Sequence, residues 1–406
     1  MGMLLYIDPG TGSMLFSLAV GLLSAAWFGA RALLMKAKYR TGGKADTNKK
    51  DIVIYGEDKR YWTTFKGILD EFERRQVKVT YLAGSADDPL LSQGYRYVET
   101  EVIGLGNKAY ARLNFLNARI LLATTPGLDV YQWKRSKGVD WYVHIIHAPS
   151  ELTTYKMFGT DFYDALLLSG QYQEEDCRAL EKLRNLPAKE CCVVGVPYLD
   201  EMSRRLERLE VPPHGRTVLV APSWGPNSLL NRFGDRLIER LIATGYHIII
   251  RPHPQSFVSE KALMEKLMAE YPELEWNRDA DNFEVLCRSD ILISDFSGII
   301  FDFALVFDKP VICAYTDFDK SLLDAWWLET PIWTATAVPR IGPILGEDKL
   351  EDIKELIDRA LEDKSFASAR QEVRDETWTH RGEGARRAAD YLIGRYNALI
   401  NKGKDE

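Results

Sequence analysis

The side chains able to do chemistry stand just behind short apolar runs. Val143 to Ile146 leads into His147-Ala148-Pro149-Ser150, and Tyr246 to Arg251 leads into Pro252-His253-Pro254. Thr217 to Ala221 leads into Pro222-Ser223-Trp224, and Ile291 to Ile293 into Ser294-Asp295-Phe296-Ser297-Gly298. A neutral imidazole near pH 7 takes a proton from a hydroxyl, so His147 and His253 are the candidate catalytic residues. Prolines on both sides stiffen His253. A fixed imidazole beside the Arg251 guanidinium suits a phosphoryl group. Ser297 reads as the N-cap of an apolar helix, whose first N–H groups and positive end would face a phosphate. Ser294, Asp295, Ser297 and Gly298, with Ser223 and Arg251, are therefore the candidate donor- and phosphate-binding residues. Asp295 is read as orienting that loop. Each has a structural competitor: an ordinary capped helix at Ser297, an ion pair for Arg251, a strand-ending polar residue for His147.

Other conspicuous residues carry plainer readings. His144 lies inside its strand and reads as a core histidine, and Asp302 as a helix residue with a structural partner. His214, His247 and His380 look incidental. Trp326, Trp327 and Trp333 form an aromatic loop, read first as packing and otherwise as an acceptor- or membrane-facing surface.

These residues need strands to hold them. Asp51–Tyr55, Val77–Leu82, Arg119–Ala123, Val139–Ile146, Ala165–Ser169 and Cys192–Val196 read as strands, with a helix over Tyr61–Arg75. After a charged helix over Glu201–Glu210, Val211-Pro212-Pro213-His214-Gly215 reads as a hinge. A second unit follows, with strands at 217–221, 246–251, 291–293 and 310–314. Short apolar runs alternating with helices imply parallel sheets covered on both faces. The expected fold is α/β and GT-B-like: two Rossmann-like domains with a cleft between them, plus an N-terminal membrane helix. The expected partition is a membrane-anchoring segment at 1–40, a linker at 41–50, Rossmann-like domains at 51–210 and 211–375, and a C-terminal helix at 376–406 packing back on the first domain.

The totals narrow the function. The chain has 406 residues and a net charge of −7, which offers no general attraction to nucleic acid. The five cysteines form no C-x-x-C pair, which argues against a zinc site or a disulfide framework. Ser13 to Ala30 carries no charge, and Lys36, Lys38, Arg40, Lys44, Lys49 and Lys50 follow. This is the lower limit of a membrane span. The basic flank places the bulk of the chain in the cytoplasm, with a single-pass or a re-entrant anchor both open. No acidic cluster has metal-ligand spacing, no cofactor is called for, and a divalent metal is left open.

Taken together, the motifs resemble those of the CDP-glycerol glycerophosphotransferase family, the teichoic-acid primases and polymerases. In order, the family's H-G-T-P is matched by His147 to Ser150, G-x-P-x-x-D by Gly195 to Asp200, A-P-T-W by Ala221 to Trp224, and R-P-H-P by Arg251 to Pro254. S-D-Y-S and F-D-[FY]-A are matched by Ser294 to Ser297 and Phe301 to Ala304, followed by Gly342-Pro343 and Gly382 to Arg387. Two departures stand out. The glycine of H-G-T-P is absent, with Lys156 the nearest candidate for the lysine that follows it, and Tyr198 replaces the arginine after G-x-P. The resemblance implies transfer of glycerol phosphate, or a related polyol phosphate, from a CDP-activated donor to a lipid-linked or glycan acceptor, releasing CMP. His147 would be the general base, Arg251 and His253 would hold the phosphate and the leaving CMP, and Ser297 with Gly298 would cradle the pyrophosphate. A sugar transferase or nucleotide-sugar epimerase on the same fold, or a non-catalytic membrane-tethered nucleotide-binding module, are the alternatives.

Overall fold

A computed structural model describes residues 20, 24, 26–27, 29–30, 49–210, 214–279, 281–314 and 320–405, without the side chains of 402–405. The expected membrane segment, the linker and part of the hinge therefore lie outside the described residues, apart from exposed helical positions such as Val20 and Trp27. Among the described residues no helix is long and apolar enough to cross a membrane.

The first unit is a seven-stranded parallel sheet. Its strands are β1 (Lys50–Gly56), β2 (Val79–Ala83), β3 (Val98–Val102), β4 (Asn117–Ala123), β5 (Gly138–Ile145), β6 (Ala165–Leu168) and β7 (Glu190–Val193), in the order β3-β2-β1-β4-β5-β6-β7. The second is a five-stranded parallel sheet of β8 (Thr217–Val220), β9 (His247–Ile250), β10 (Glu275–Trp276), β11 (Ile291–Ser294) and β12 (Val311–Cys313), in the order β10-β9-β8-β11-β12. Central strands such as Ile52–Tyr55, Ile120–Ala123 and Ile291–Ser294 are buried on both faces, as a sheet covered twice by helices requires. The helix Trp62–Arg74 buries Phe65, Ile68, Leu69 and Phe72, a spacing of three and four residues that lays one apolar stripe on the sheet.

The elements differ from the sequence reading in a few places, each for a local reason. β7 ends at Val193, and the next helix is Pro197–Glu207 rather than Glu201–Glu210. Gly195 has φ +95, and a Cβ there would meet the Thr379 carbonyl at 2.2 Å. The chain turns at Gly195 and Pro197 then opens the helix at its first turn. β3 escapes the pattern because it is an edge strand, with Val98 alone buried among its five residues. The run after Ser297 is not one capped helix. A single α turn, Ile299–Phe301, gives way to a π-helix, Asp302–Val306, and the N-cap position is Gly298. The N–H of Ser297 is turned back to the Asp295 carbonyl at 2.9 Å.

The chain's end crosses back to the first sheet. Ala385, Ala388, Ala389 and Leu392, on the helix Gly384–Asp405, pack with Ile52, Ile54, Phe65 and Ile68. Buried Asp200 fixes that crossing. It accepts hydrogen bonds from Trp378 Nε1 (2.8 Å), Gly382 N (2.7 Å) and Gly384 N (2.9 Å). All five cysteines are free, and Cys177, Cys287 and Cys313 are buried. Replacing Asp200 strands three donors at once, so Asp200→Ala is expected to cost about 3 kcal/mol in urea unfolding. A loss under about 0.5 kcal/mol would mean the C-terminal helix docks by its apolar face alone.

Candidate active site

All strands in each sheet run parallel, so their carboxyl ends share one edge, where ligands of such folds collect. The two edges face each other across a cavity of about 630 Å³. From the first unit it is lined by Arg60 and Tyr61 behind β1 and by His147 behind β5. From the second it is lined by Arg251 and His253 behind β9, Ser297 and Gly298 behind β11, and Asp302.

The two histidines carry opposite hydrogen-bond instructions. His147 Nδ1 lies 2.7 Å from Thr124 Oγ1, whose single proton goes to the Ile145 carbonyl at 2.8 Å. The Thr124 oxygen is therefore an acceptor toward the ring, and Nδ1 must carry the proton. That leaves Nε2 with a free lone pair. The ring is wedged edge-on against Tyr61, 4.9 Å between centroids. Burial first, and the Arg60 charge second, push its pKa down to about 4, so it is neutral at pH 7. At His253 the arrangement is reversed. Gln255 N donates to its Nδ1 at 3.1 Å, which places the proton of the neutral ring on Nε2. Burial, then Arg60, lower its pKa as well, against a smaller opposing pull from Glu260. The cleft thus contains one imidazole able to accept a proton and one able to donate a hydrogen bond.

The second unit supplies the rest of the wall. Arg251 donates to the Asn277 side chain and to the Asp279 carbonyl (2.9 Å). Both partners are neutral, so its charge is not cancelled by an ion pair. Ser294 and Asp295, read as donor-binding, lie behind the wall instead. Ser294 is fully buried and its hydroxyl donates to the Ala221 carbonyl at 2.5 Å. Asp295 is 1% exposed and accepts from Ser223 N and Leu229 N, each at 2.7 Å. Its oxygens and the Ser223 N–H are spent on each other, which ties the loop after β8 to the end of β11. Neither Ser294, Asp295 nor Ser223 lines the cavity, and their part is to shape the loops that do.

Four further residues change place. Asp302, read as structural, borders the cavity. Burial raises its carboxyl to about 7, opposed by hydrogen bonds from Tyr198 and Asn282. Lys156 is exposed and bridges to Leu323 away from the cavity. Lys59 and Arg60 were missed, although they stand within four residues of the end of β1, and the same strand-end logic that found His147 points to them. His144 is fully buried, its Nε2 3.2 Å from the Tyr155 hydroxyl. Trp333 stacks on Tyr172 at 4.6 Å, whereas Trp326 and Trp327 are exposed. Among the described residues no three His, Cys, Asp or Glu side chains are grouped to hold a metal ion.

Comparisons with known proteins add the following. The model of the family described as CDP-Glycerol:Poly(glycerophosphate) glycerophosphotransferase matches residues 156–321. The teichoic acid glycerol-phosphate primase of Bacillus spizizenii is 29% identical over 132 residues, which is 29% of this chain and 32% of the primase. The chain thus spans about a third of that curated relative in the match. Of solved structures, the wall teichoic acid polymerase TagF matches with a TM-score of 0.59 at 15% identity, over 94% of this chain and 99% of that one. The same polymerase soaked with CDPG matches at 0.55. A UDP-GlcNAc 2-epimerase from Neisseria meningitidis bound to UDP-GlcNAc matches at 0.55 and 13% identity, over 85% of this chain and 100% of that one. These likenesses show a GT-B-like fold, and the matched segment bears out the resemblance read from the motifs. Arg251, His253 and Asp302 fall inside that segment, whereas Arg60 and His147 lie before it.

The hydrogen bonds fix a measurable outcome. Long-range 1H–15N spectra at pH 7 are expected to show His147 protonated on Nδ1 and His253 on Nε2, and Thr124→Val should abolish the preference at His147. Buried His144, pushed down to about 3, and His147, at about 4, are both below their unfolded value of about 6.5. The folded state therefore binds fewer protons than the unfolded chain. The stabilisation is complete above about pH 6.5 and is lost as pH falls toward 4. A melting temperature flat from pH 7 to 4.5 would contradict this.

Proposed function

We propose that this chain transfers a polyol phosphate, glycerol phosphate in the first instance, from a CDP-activated donor to an acceptor hydroxyl and releases CMP. The observation that carries the reading is the pair of oppositely protonated histidines facing one cleft, one of them inside the family-matched segment. The match to a glycerophosphotransferase family and the CDPG soak of a protein with the same fold support a CDP donor.

In this reading the acceptor oxygen attacks the distal phosphorus of the donor. The new O–P bond forms as the bridging P–O bond breaks, and that electron pair leaves on the CMP phosphate. The acceptor proton goes to the bare Nε2 of His147. His253 Nε2–H and Arg251 hold the phosphate oxygens between them, and Ser297 with Gly298 closes the wall behind. Catalysis of this kind rests on positioning and charge stabilisation. A neutral His147 is ready to accept at pH 7 without first losing a proton.

The acceptor in this reading is lipid-linked. The uncharged stretch Ser13 to Ala30 and its basic flank support a membrane anchor with the catalytic units on the cytoplasmic side. A nucleotide-sugar transferase or epimerase would use the same cleft with another base.

A nucleotide panel decides between these. CMP, CDP and CDP-glycerol are expected to raise the melting temperature of the full chain by mass action, with UDP-GlcNAc and GDP-sugars giving no shift. His147→Ala should lower turnover of CDP-glycerol by about 10²- to 10⁴-fold while keeping the CMP shift. Stabilisation by uridine nucleotides alone would make the chain a sugar-nucleotide enzyme.

A further inference from the structure

The cleft holds more than one cation, and the hydrogen bonds show which of them keeps both terminal amino groups free. Four cationic side chains line it, Lys59, Arg60, Arg205 and Arg251, together with the carboxylates of Asp87 and Asp281. Lys59 is paired with Asp87. Arg205 is paired with Asp281 at 2.8 Å and lies over the Phe283 ring at 4.0 Å. Arg251, already placed on the phosphate, gives one hydrogen of each terminal amino group to Asn277 and to the Asp279 carbonyl. The histidines are neutral at pH 7. Arg60 alone differs. Its Nε is held by Asp58 at 2.8 Å, and among the described residues no acceptor engages its two terminal amino groups.

The local structure fixes where this charge sits. Asp58 caps a 3₁₀ turn, Lys59–Tyr61, at the carboxyl end of β1, and accepts from both the backbone N–H and the Nε of Arg60. One carboxylate thus anchors the turn and the root of the guanidinium together. Tyr61, the next residue, touches the His147 ring. The Arg60 charge is felt by His147 on one side of the cleft and by His253 on the other. Arg60 lines the same cavity as both rings.

We infer that Arg60 is a catalytic residue whose free amino groups meet the negative charge of the phosphoryl group in transit between the acceptor and CMP. The inference rests on the transfer reading above. A guanidinium presents several N–H donors in a planar fork matched to phosphate oxygens, and Nε is already committed to Asp58, so the outer pair faces the ligand. The Arg60 side chain is 61% exposed in the open cleft, so its donors gain strength as a bound ligand displaces that water. Arg60 lies outside the family-matched segment 156–321, so that match does not assign it.

Its removal has a signature that a structural role would lack. His147 is faced by Arg60 and Tyr61 from the turn after β1, by Thr124 after β4, by His144 within β5 and by Tyr155 beyond the loop. His253 is faced by Arg60, Glu260 and Trp224. Of these groups Arg60 is the cation, and it opposes protonation of both rings. Arg60→Ala should therefore raise both histidine titrations and move the acid limb of the kcat/KM profile toward neutrality.

The test compares the full chain with Arg60→Ala, Arg60→Lys and the exposed control Lys156→Ala. Arg60→Ala is expected to lower kcat with CDP-glycerol by about 10²- to 10³-fold. It should also weaken binding of inorganic pyrophosphate at least tenfold and leave the melting temperature within about 2 °C. Arg60→Lys should recover part of the rate and return the acid limb, and Lys156→Ala should match the unmodified chain. Turnover within threefold of the unmodified chain in Arg60→Ala would overturn the assignment. If the unmodified chain turns over no CDP-polyol, the transfer reading has failed, and pyrophosphate affinity alone decides: unchanged in Arg60→Ala overturns an anion-binding role, and a tenfold loss sustains it.

Discussion

A parallel strand can rejoin its sheet only through a crossover on one face, so all its neighbours end on the same edge. Both sheets here obey that constraint throughout, and the cleft is its consequence. Two rows of loops, which carry few backbone obligations, are brought face to face by strands that carry many. Buried strands such as Ile52–Tyr55 and Ile291–Ser294 cannot shift register without exposing apolar side chains. The residues immediately behind them are therefore placed with little freedom, whatever their own chemistry.

Within the cleft, function is decided by single protons. Thr124 has one hydroxyl proton and gives it to a strand carbonyl, so its oxygen can only accept from His147. Gln255 has one backbone N–H and gives it to His253. Neither relation involves a charge, yet together they make the two imidazoles unlike. Asp302 shows the same economy. Tyr198 stands where the resembled family has an arginine, and it gives the carboxyl a hydrogen bond without a counter-charge. Burial then dominates and the carboxyl is raised to about 7. An arginine in that position would favour the ionised form.

The strand ends were legible in the sequence because alternation of short apolar runs and helices needs only local spacing. That is how His147, Arg251, His253, Ser297 and Gly298 came into view, and the structure brings these five to one cavity. What spacing cannot show is which neighbours in the loop face inward. Ser294 and Asp295 sit in the same motif as Ser297, but their partners, Ala221, Ser223 and Leu229, come from another strand end some seventy residues away. A carboxylate able to capture two buried backbone N–H groups satisfies them before it meets a ligand. Arg60 escaped for the opposite reason. Its turn is charged and short, and it reads as surface until the second unit is placed opposite. The π-helix at Asp302–Val306 has no signature in the run Ile299 to Phe303, and Asp302 at its start borders the cavity.

A site divided between two units also requires them to be held in register; Val196, Leu199 and Met202 of the first pack into the core of the second, and the directional contacts are polar. Asp324, 1% exposed, accepts from Arg184 at 2.5 Å, from Phe158 N at 2.7 Å and from Gly159 N at 3.1 Å, while Arg184 also holds Asp161 at 2.6 Å. Glu151, four residues past His147, accepts from the backbone and the hydroxyl of Thr334. Thr377 donates to the Pro149 carbonyl at 3.0 Å. Buried ion pairs of this sort gain little net stability, because desolvation offsets the attraction. Their value is directional: apolar faces tolerate sliding, whereas a carboxylate with several fixed donors does not. Two of these contacts grip the loop that carries His147. The segment that aims the base is therefore clamped by the opposite unit, and the distance between base and phosphate site is set on both sides of the cleft at once.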